Sequence, residues 1–303
     1  MDRLVNLPPE PLKPEESQCC GQGCQFCVFD TYKQELLIWQ RKCKELETCQ
    51  LEKNTKMNPE TYVDCVIESV EPVCPSVFLF HFKLPENHCM EFSASQHLIA
   101  RESTSNSTIS RPYTLISSPG LVKKFTVLIK LYDNGMMSNI IKRKWLTGKV
   151  VSWRGPIGQC DYKPNSYRNV LMIAAGTGIT PLYQITKLII DNPDDETRVF
   201  LLYGCRTYSE IIFQREFHQL QDYWNFKACY FLSDDENQDA ETLKRHNEEI
   251  IYHKLDEETL KEMSVIKQSD SLRVYLCGSK AFDKKIIEYL TKIGIEKSSI
   301  ITF

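Results

Sequence analysis

The stretch that most constrains the fold runs from residue 171 to 188, LMIAAGTGITPLYQITKL. An apolar run, Val170–Ala175, meets the glycine turn Gly176–Gly178, and an amphipathic pattern follows with Pro181 near its start. This order predicts a buried strand, a tight turn and a helix with proline in its first turn. Such a helix start offers free N–H groups to a bulky anion such as a pyrophosphate. Because the turn is not the GxGxxG dinucleotide fingerprint, tight strand–helix packing alone would also explain it.

The composition excludes several classes of protein. A net charge of −3 and a pI of about 6.1 are not those of a general nucleic-acid binder, so no nucleic-acid partner is expected. Because no apolar run of about eighteen residues occurs, we expect no membrane span. Four of the thirteen cysteines cluster near the N-terminus and the others are scattered singly. This usage favours a reducing compartment, the cytoplasm, with the mitochondrion as the alternative.

The clustered cysteines follow a proline-rich, acidic leader and precede a helix-like pattern. They are Cys19, Cys20, Cys24 and Cys27, and Cys43 and Cys49 follow them. The first, third and fourth have the spacing of a plant-type iron–sulfur loop, for which either later cysteine would be the fourth ligand. All four together would also suit a zinc site. Buried or redox-active thiols that hold no metal are the third interpretation, so the metal stays open.

Two patterns of secondary structure divide the remaining chain. From residue 57 to 164, short strand-like runs alternate with turn signals, which predicts an antiparallel β barrel. From 165 to 303, strand-like and helix-like runs alternate, which predicts a doubly wound parallel sheet, an α/β domain. Residues 1–56 form the disordered leader and the small helical, cysteine-rich segment. An acidic insertion, 234–270, is expected to be a surface excursion with a helical end.

Two further motifs carry groups that suit a cofactor. The sequence RPYT at 111–114 combines an arginine fork for a diphosphate, a ring for a flat cofactor and a hydroxyl donor. Alternation along a strand would direct these groups toward one ligand, whereas the motif alone would only indicate an edge strand. The sequence GMMS at 135–138 opens a helix predicted over Asn139–Trp145. Its N–H groups would suit a phosphate, unless Ser138 is an ordinary helix cap.

The order of the motifs resembles the ferredoxin–NADP reductase superfamily. The series is RPYTLISS, IKLY, GMMS, RGPIG, GTGITPLYQI, LYGCR, YLCG and a final Phe. Within the superfamily the chain is most similar to the NADH–cytochrome b5 reductase family, and its cysteine segment resembles an oxidoreductase-like N-terminal module found in the reductase-like subgroup. The resemblance covers residues 60–303. It implies hydride transfer from NADH to FAD and single-electron transfer to a heme protein such as cytochrome b5.

The resemblance also implies which barrel residues hold FAD. Arg111 would contact the pyrophosphate, Tyr113 would lie against the flavin, and Thr114 would form a hydrogen bond near the isoalloxazine. The other candidate FAD-binding positions are Pro112, Ser117, Lys130, Tyr132, Gly135, Met136, Met137 and Ser138.

Residues of the second domain would then bind the nicotinamide nucleotide. The candidates for the pyrophosphate and for the passage to the flavin are Gly176, Thr177, Gly178, Thr180 and Pro181. Cys277 and Gly278 would lie beside the nicotinamide, and Phe303 would cover the flavin until nicotinamide displaces it. Thr114, Cys277 and Phe303 are therefore the candidate catalytic residues, although Cys277 would equally be a small buried thiol.

The chain departs from the family pattern at two places. Ser95 stands where a glycine commonly precedes the Gln-His pair, and Ser-Lys-Ala-Phe replaces the prolines that usually follow Cys277-Gly278. The choice of nucleotide is open at the sequence level, because Arg206 would pair with the 2′-phosphate of NADPH whereas Glu210 would repel it. We predict NADH, with NADPH as the alternative.

The acceptor and two competing hypotheses remain. A basic patch for an acidic heme protein would be formed by Lys123, Lys124, Lys142, Arg143 and Lys144. A solvated charged face is the simpler interpretation of the same residues. The competing hypotheses are a metal-binding interaction module on an inactive or NADPH-using reductase fold, and a multi-centre enzyme in which an iron–sulfur cluster relays electrons from the flavin.

Overall fold

The computed structural model describes residues 8–14, 32–33, 35–41, 43, 54–104, 108–160, 162–234, 248–267 and 271–303. Residues 35–41 are helical, as the pattern after the cysteines predicts, and Trp39 Nε1 donates a hydrogen bond to the Pro8 carbonyl at 2.7 Å. The cysteine cluster at 19–27 lies outside the described residues, so the three alternatives for it stay predictions. Within the described parts of the chain, no helix is both long and apolar enough to cross a bilayer.

The first domain is built from nine strands and one helix. They are β1 Thr55–Lys56, β2 Val63–Cys74, β3 Val77–Lys83, β4 His88–Phe92, β5 His97–Ser103, β6 Thr108–Thr114, β7 Gly120–Val122, β8 Lys124–Lys130, α1 Met136–Lys144 and β9 Val150–Ile157. Six of the strands pair antiparallel in the order β6-β5-β9-β2-β3-β8. A bridge between Leu115, just after β6, and Val127 on β8 brings the two outer strands together. This sheet is the predicted antiparallel barrel.

Aromatic side chains fill the barrel. The rings of Phe82, Phe125 and Trp153 lie 5.0 to 5.4 Å apart between centroids, and all three are fully buried. Trp153 meets both phenyl rings edge-on and the two phenyl rings stack, and such contacts add to the free energy gained by burying the rings. Tyr113 on β6 packs against the outer side of the cluster, 5.8 Å from Trp153 and 6.3 Å from Trp145. The barrel core therefore supports the tyrosine that the RPYT motif contributes.

The second domain is a parallel sheet with helices on both sides. Its elements are β10 Asn169–Ala175, α2 Ile179–Ile190, β11 Arg198–Cys205, α3 Gln214–Leu220, β12 Phe226–Leu232, β13 Glu249–Ile251, α4 Glu257–Glu262, α5 Ser264–Lys267, β14 Leu272–Cys277, α6 Lys280–Lys292 and β15 Ile300–Thr302. The strand order is β13-β12-β11-β10-β14-β15, and all pairs are parallel. The order changes direction between β10 and β14, which is where doubly wound sheets bind ligands.

Three local predictions differ from the structure. Helix α1 begins at Met136 instead of Asn139. The helix-like pattern of SEIIFQREFHQL, 209–220, predicts a helix from Ser209 onward, whereas α3 begins at Gln214, directly after Phe213, which adopts φ 59° and stacks its ring on Tyr183 at 4.2 Å. The insertion was expected to be a surface excursion, and its described part is more integrated, since Glu248 is buried and the strand β13 that follows pairs with β12. Its predicted helical end is confirmed as α4.

The link between the two domains is held by a buried polar cluster. Tyr162 donates a hydrogen bond to Asp195 Oδ2 at 2.5 Å, and its hydroxyl oxygen lies 2.9 Å from Thr197 Oγ1. Asp195 is 3% exposed, and its other oxygen accepts hydrogen bonds from the backbone N–H groups of Thr197 and Asn165. Because a buried carboxylate without hydrogen bonds is costly in free energy, each of these donors stabilises the cluster.

We expect Tyr162→Phe to lower the free energy of unfolding by about 1–3 kcal/mol, because Asp195 would lose a donor that water cannot replace. Urea denaturation followed by circular dichroism measures this change. Tyr223→Phe is the matched control, since Tyr223 is 49% exposed. Equal stability of the two variants would show that the Tyr162–Asp195 hydrogen bond contributes nothing.

Candidate active site between the barrel and the parallel sheet

A cavity of about 720 Å³ separates the barrel from the carboxyl ends of β10 and β14. Its barrel wall includes Ser95, His97, Pro112, Tyr113, Thr114, Lys130 and Tyr132. Its opposite wall includes Thr177, Gly178, Thr180, Pro181, Cys277, Gly278 and Phe303. The structure thus brings together most residues of the two predicted cofactor sites, although they are far apart in the sequence. The volume is within the range of typical ligand sites.

The glycine turn between β10 and α2 is as tight as the sequence predicts. A Cβ atom at position 178 would clash with the backbone of Cys277, only 2.6 Å from its carbonyl carbon and 3.0 Å from the N atom of Gly278. Gly176 has φ 53°, a left-handed conformation that glycine adopts at low cost, and its carbonyl accepts a hydrogen bond from Tyr203. The carboxyl ends of β10 and β14 can therefore meet only because position 178 has no side chain.

The barrel wall presents the end of the RPYT strand. Thr114 on β6 pairs with His97 on β5, so both lie at the same edge of the cavity. Burial lowers the pKa of His97, which favours a neutral imidazole. Arg111 is exposed, and its Nη1 donates a hydrogen bond to the Ser110 carbonyl at 2.8 Å. Its guanidinium therefore lies outside the cavity wall, where only an extended ligand would reach it.

The residues at the start of α1 have varied surroundings. Ser138 Oγ accepts a hydrogen bond from the Tyr132 N–H at 3.0 Å, Met137 is buried in the barrel core, and Met136 is 65% exposed. Ser117 Oγ accepts a hydrogen bond from the Thr126 N–H at 3.0 Å. Among the described residues, six predicted cofactor positions line neither this cavity nor the one that continues from it along the sheet: Arg111, Ser117, Gly135, Met136, Met137 and Ser138.

A second cavity of about 440 Å³ continues from the first along the carboxyl edge of the sheet. Five residues line both cavities: Lys130, Tyr132, Thr177, Gly178 and Gly278. Farther along, Arg206 and Glu210 line it, and they form a salt bridge in which Arg206 Nε lies 3.2 Å from Glu210 Oε2. The two cavities form one trough with room for two ligands that meet at the glycine turn.

Cys277 and Phe303 close the trough on the side of β14. Burial raises the pKa of the Cys277 thiol to about 12, so the group stays a neutral thiol at physiological pH. The Phe303 N–H donates a hydrogen bond to the Leu276 carbonyl at 3.2 Å, which extends the pairing of β15 with β14. The Phe303 ring is 41% exposed and lies 6.0 Å from the ring of Tyr275. Both alternatives for Cys277, a buried packing thiol and a group that influences the nicotinamide, therefore stay predictions.

Sequence reasoning missed Gln184 and did not count Ser95 among the site residues. Gln184 lies on α2 one turn after Thr180 and is only 4% exposed. Ser95 is 6% exposed and has φ 63°. A glutamine among the mostly apolar residues of a predicted buried helix face was the available signal for Gln184. For Ser95 the available signal was that a serine stands where the family commonly has a glycine before the Gln-His pair.

Comparison with known proteins decides the family. The chain matches the models of an oxidoreductase FAD-binding domain at residues 64–162, an oxidoreductase NAD-binding domain at 172–287 and an N-terminal oxidoreductase-like protein segment at 4–48. It is 34% identical over 304 residues to the NADH–cytochrome b5 reductase-like protein of Homo sapiens, covering 97% of this chain and 94% of that protein. The chain belongs to the NADH–cytochrome b5 reductase family. It is an oxidoreductase with FAD-binding and NAD-binding domains.

Other members and solved structures agree with this assignment. NADH–cytochrome b5 reductase 1 of Dictyostelium discoideum is 30% identical over 82% of this chain and 83% of that protein. The cytochrome b5 reductase domain of Ulva prolifera nitrate reductase superposes with a TM-score of 0.69 at 23% identity, covering 82% of this chain and 99% of that domain. A ferredoxin–NADP⁺ reductase from Neisseria gonorrhoeae with bound FAD and NADP has a TM-score of 0.64 at 18% identity, covering 80% and 98%. These structures confirm the predicted fold.

In this reductase we expect Gly178→Ala to disrupt the junction of β10 and β14, because the added methyl group meets backbone atoms that cannot turn away. A loss of about 2 kcal/mol or more of folding free energy is expected, with weaker protection by added nucleotide. Differential scanning calorimetry with and without NAD⁺ measures both effects. Gly204→Ala is the control for folding, since its Cβ would meet only the Ala174 carbonyl oxygen at an ordinary 3.6 Å. Equal melting temperatures for the two variants would contradict the close contact.

Proposed function

We propose that the protein takes a hydride from NADH onto FAD and passes single electrons to a heme protein such as cytochrome b5. The trough between the barrel and the sheet carries this proposal, because it joins a wall with the RPYT motif to the glycine turn of the nucleotide domain. The names of the relatives support the same donor and acceptor. Eight free cysteines among the described residues support a reducing compartment, for which we propose the cytoplasm.

The residues present fit FAD on the barrel side. Tyr113 offers a ring supported by Trp145 and Trp153, and Thr114 and Lys130 line the same cavity with polar groups. The N–H groups at the start of α1 and the exposed guanidinium of Arg111 are available to a diphosphate. FAD would supply the chemistry that protein side chains lack, namely hydride acceptance followed by the release of single electrons.

The protein groups then have the tasks of orienting two rings and excluding water. Thr180 and Pro181 on α2 face Thr114 and Tyr113 across the cavity, which lets the walls hold two flat ligands. Phe303 covers the open side with a partly exposed ring that a nicotinamide would displace. Cys277, a neutral thiol, packs beside this position, with its Sγ 3.9 Å from the Phe303 carbonyl oxygen. The described wall thus needs no side chain that changes its protonation state.

The second cavity favours NADH. The Arg206 guanidinium, which would otherwise pair with a 2′-phosphate, is already paired with Glu210. A 2′-phosphate would have to displace this carboxylate and would also be repelled by it. NADH carries a hydroxyl at that position, so its binding requires neither the displacement of Glu210 nor the approach of two negative charges.

We expect the kcat/KM for reduction of the bound flavin in the wild-type protein to be at least tenfold higher with NADH than with NADPH. This ratio corresponds to a difference of about 1.4 kcal/mol in transition-state free energy. Glu210→Gln frees the guanidinium of Arg206 and should move this ratio toward NADPH by about tenfold. Stopped-flow absorbance at the flavin band measures both nucleotides. Glu258→Gln, an exposed substitution on α4, is the charge-matched control. A preference of the wild-type protein for NADPH would contradict the assignment of NADH as the electron donor.

The visible spectrum of the purified protein, with elemental analysis, separates the competing hypotheses. A flavin spectrum without iron supports the simple reductase, whereas iron charge-transfer bands would support a relay through the cysteine cluster. A colourless protein that FAD does not reconstitute would overturn the proposed function in favour of an inactive fold.

The proposed acceptor surface is less positive than its sequence implies. Lys142 lies 3.2 Å from Asp133, Lys144 lies 3.7 Å from Glu102, and Lys124 pairs with a carboxylate on β2. Arg143 and Lys123 instead donate to backbone carbonyls, and among the described residues neither forms an ion pair with a carboxylate. Exposed ion pairs contribute little to stability, but they do reduce the field that steers a partner. We therefore propose that Arg143 and Lys123 contribute most to docking.

We expect Arg143→Glu to raise the KM for cytochrome b5 about threefold to tenfold and to flatten the dependence of its reduction on salt. The reduction of ferricyanide, a small acceptor, should be unchanged. Lys284→Glu, on the exposed side of α6, reverses the same charge elsewhere and serves as the control. An unchanged salt dependence in the Arg143 variant would contradict docking at this surface.

A further inference from the structure

Gln184 is a polar residue on the buried face of α2. It lies four residues after Thr180, so the two side chains are on the same side of the helix, and Thr180 lines the flavin-side cavity. Gln184 is 4% exposed, and its neighbours on this helix are mostly apolar and buried. An amide at such a depth is costly unless both of its ends are hydrogen-bonded.

Both ends of the Gln184 amide bind the barrel. Oε1 accepts a hydrogen bond from the Ser95 N–H at 3.0 Å, and Nε2 donates one to the Ser117 carbonyl at 2.8 Å. The two contacts assign the orientation of the amide. In the flipped form the NH2 group would face the Ser95 N–H, and the amide oxygen would face the Ser117 carbonyl oxygen. One side chain of the nucleotide domain thus joins two separate segments of the barrel.

The two segments flank the cavity. Ser95 is two residues before His97 at the start of β5, and Ser117 is three residues after Thr114 at the end of β6. His97 and Thr114 are themselves a pair in the sheet and line the cavity. Gln184 therefore holds the barrel edge that carries Thr114, while its own helix carries Thr180 and begins at the glycine turn.

The Ser95 turn is adapted to this contact. The Gln96 N–H donates to the Ser93 carbonyl at 3.3 Å, which closes a β-turn, and Ser95 occupies its third position with φ 63°. Glycine is the usual residue there because a side chain makes the left-handed conformation unfavourable. The turn leaves the Ser95 N–H free to point away from the barrel, and Gln184 receives it. Within the described chain, the Ser95 hydroxyl has no hydrogen-bond partner.

We propose that Gln184 is a positioning residue that fixes the flavin wall of the trough against its nicotinamide wall. This assignment rests on the proposed function, because it concerns the alignment of the two rings between which hydride passes. Hydride transfer depends steeply on the distance and angle between donor and acceptor. The hydrogen bonds of Gln184 lie outside the glycine turn, where we propose that the nucleotide pyrophosphate binds. Loss of the Gln184 bridge should therefore slow the chemical step more than it weakens binding.

The test compares Gln184→Leu, Gln184→Glu and Thr186→Val as FAD-loaded proteins. Leucine removes both hydrogen bonds at similar volume, and glutamate keeps the acceptor for Ser95 but loses the donor to Ser117. Thr186 is the matched control, since it is fully buried on the same helix but bonds only to Leu182 and Met172. Stopped-flow reduction by NADH and by 4-deuterated NADH gives the limiting rate constant, the nucleotide Kd and the isotope effect.

We expect Gln184→Leu to lower the limiting rate constant at least tenfold with less than a threefold change in Kd, Gln184→Glu to lie between it and wild type, and Thr186→Val to match wild type. If Gln184→Leu matches Thr186→Val in rate constant and isotope effect, the assignment is overturned.

Amide hydrogen exchange of the wild-type protein supplies a readout that needs neither activity nor a variant. The Ser95 N–H should exchange at least a hundredfold more slowly than the amide of an exposed turn residue such as Asn87. Rapid exchange at Ser95 would overturn the bridge, even if no Gln184 variant folds. A wild-type flavin that neither NADH nor NADPH reduces would instead overturn the proposed function, and the positioning role with it, while a slow Ser95 amide would show that the bridge itself exists.

Discussion

The close contact between Gly178 and the backbone of Cys277 is the constraint on which the site depends. Strands β10 and β14 are neighbours in register, with Ala174 opposite Cys277, so their carboxyl ends must leave the sheet within a few ångströms of each other. A residue with a side chain at position 178 would force them apart. Because it is glycine, α2 can begin directly above the end of β14, and the first turn of α2 then faces the barrel.

The barrel meets this rigid junction with a rigid wall of its own. The packed rings of Phe82, Phe125 and Trp153 leave little freedom to the strand that carries Tyr113, and the Trp145 indole is tied to Glu102 by a hydrogen bond of 2.7 Å. The two walls also share apolar contacts, since Val77 of the barrel belongs to the same core as the inner face of the parallel sheet. Preorganised walls of this kind suit a protein whose cofactors carry the chemistry.

Local sequence patterns predict the features that depend on nearby residues. The apolar run, glycine turn and proline locate β10 and α2, and the last three residues of the RPYT motif lie on the cavity wall at the end of β6. Contacts between distant segments are beyond such patterns. The Ser138 and Ser117 hydroxyls accept hydrogen bonds from backbone N–H groups, Gln184 crosses between domains, and Phe213 stacks on Tyr183 directly before α3 begins. Each of these depends on a partner that only the folded chain brings near.

The acidic insertion leaves and rejoins the nucleotide domain at the wall of the second cavity. Asp234 donates its N–H to the Arg206 carbonyl, Glu248 accepts a hydrogen bond from Tyr208, and Lys254 and Leu255 line the cavity itself. The attachment at Asp234 therefore adjoins Arg206, which lines the cavity, and the chain that follows Glu248 reaches the same wall at Lys254 and Leu255. For protein engineering, this means that a domain inserted into the interval 235–247 would join the protein close to the wall of the second cavity.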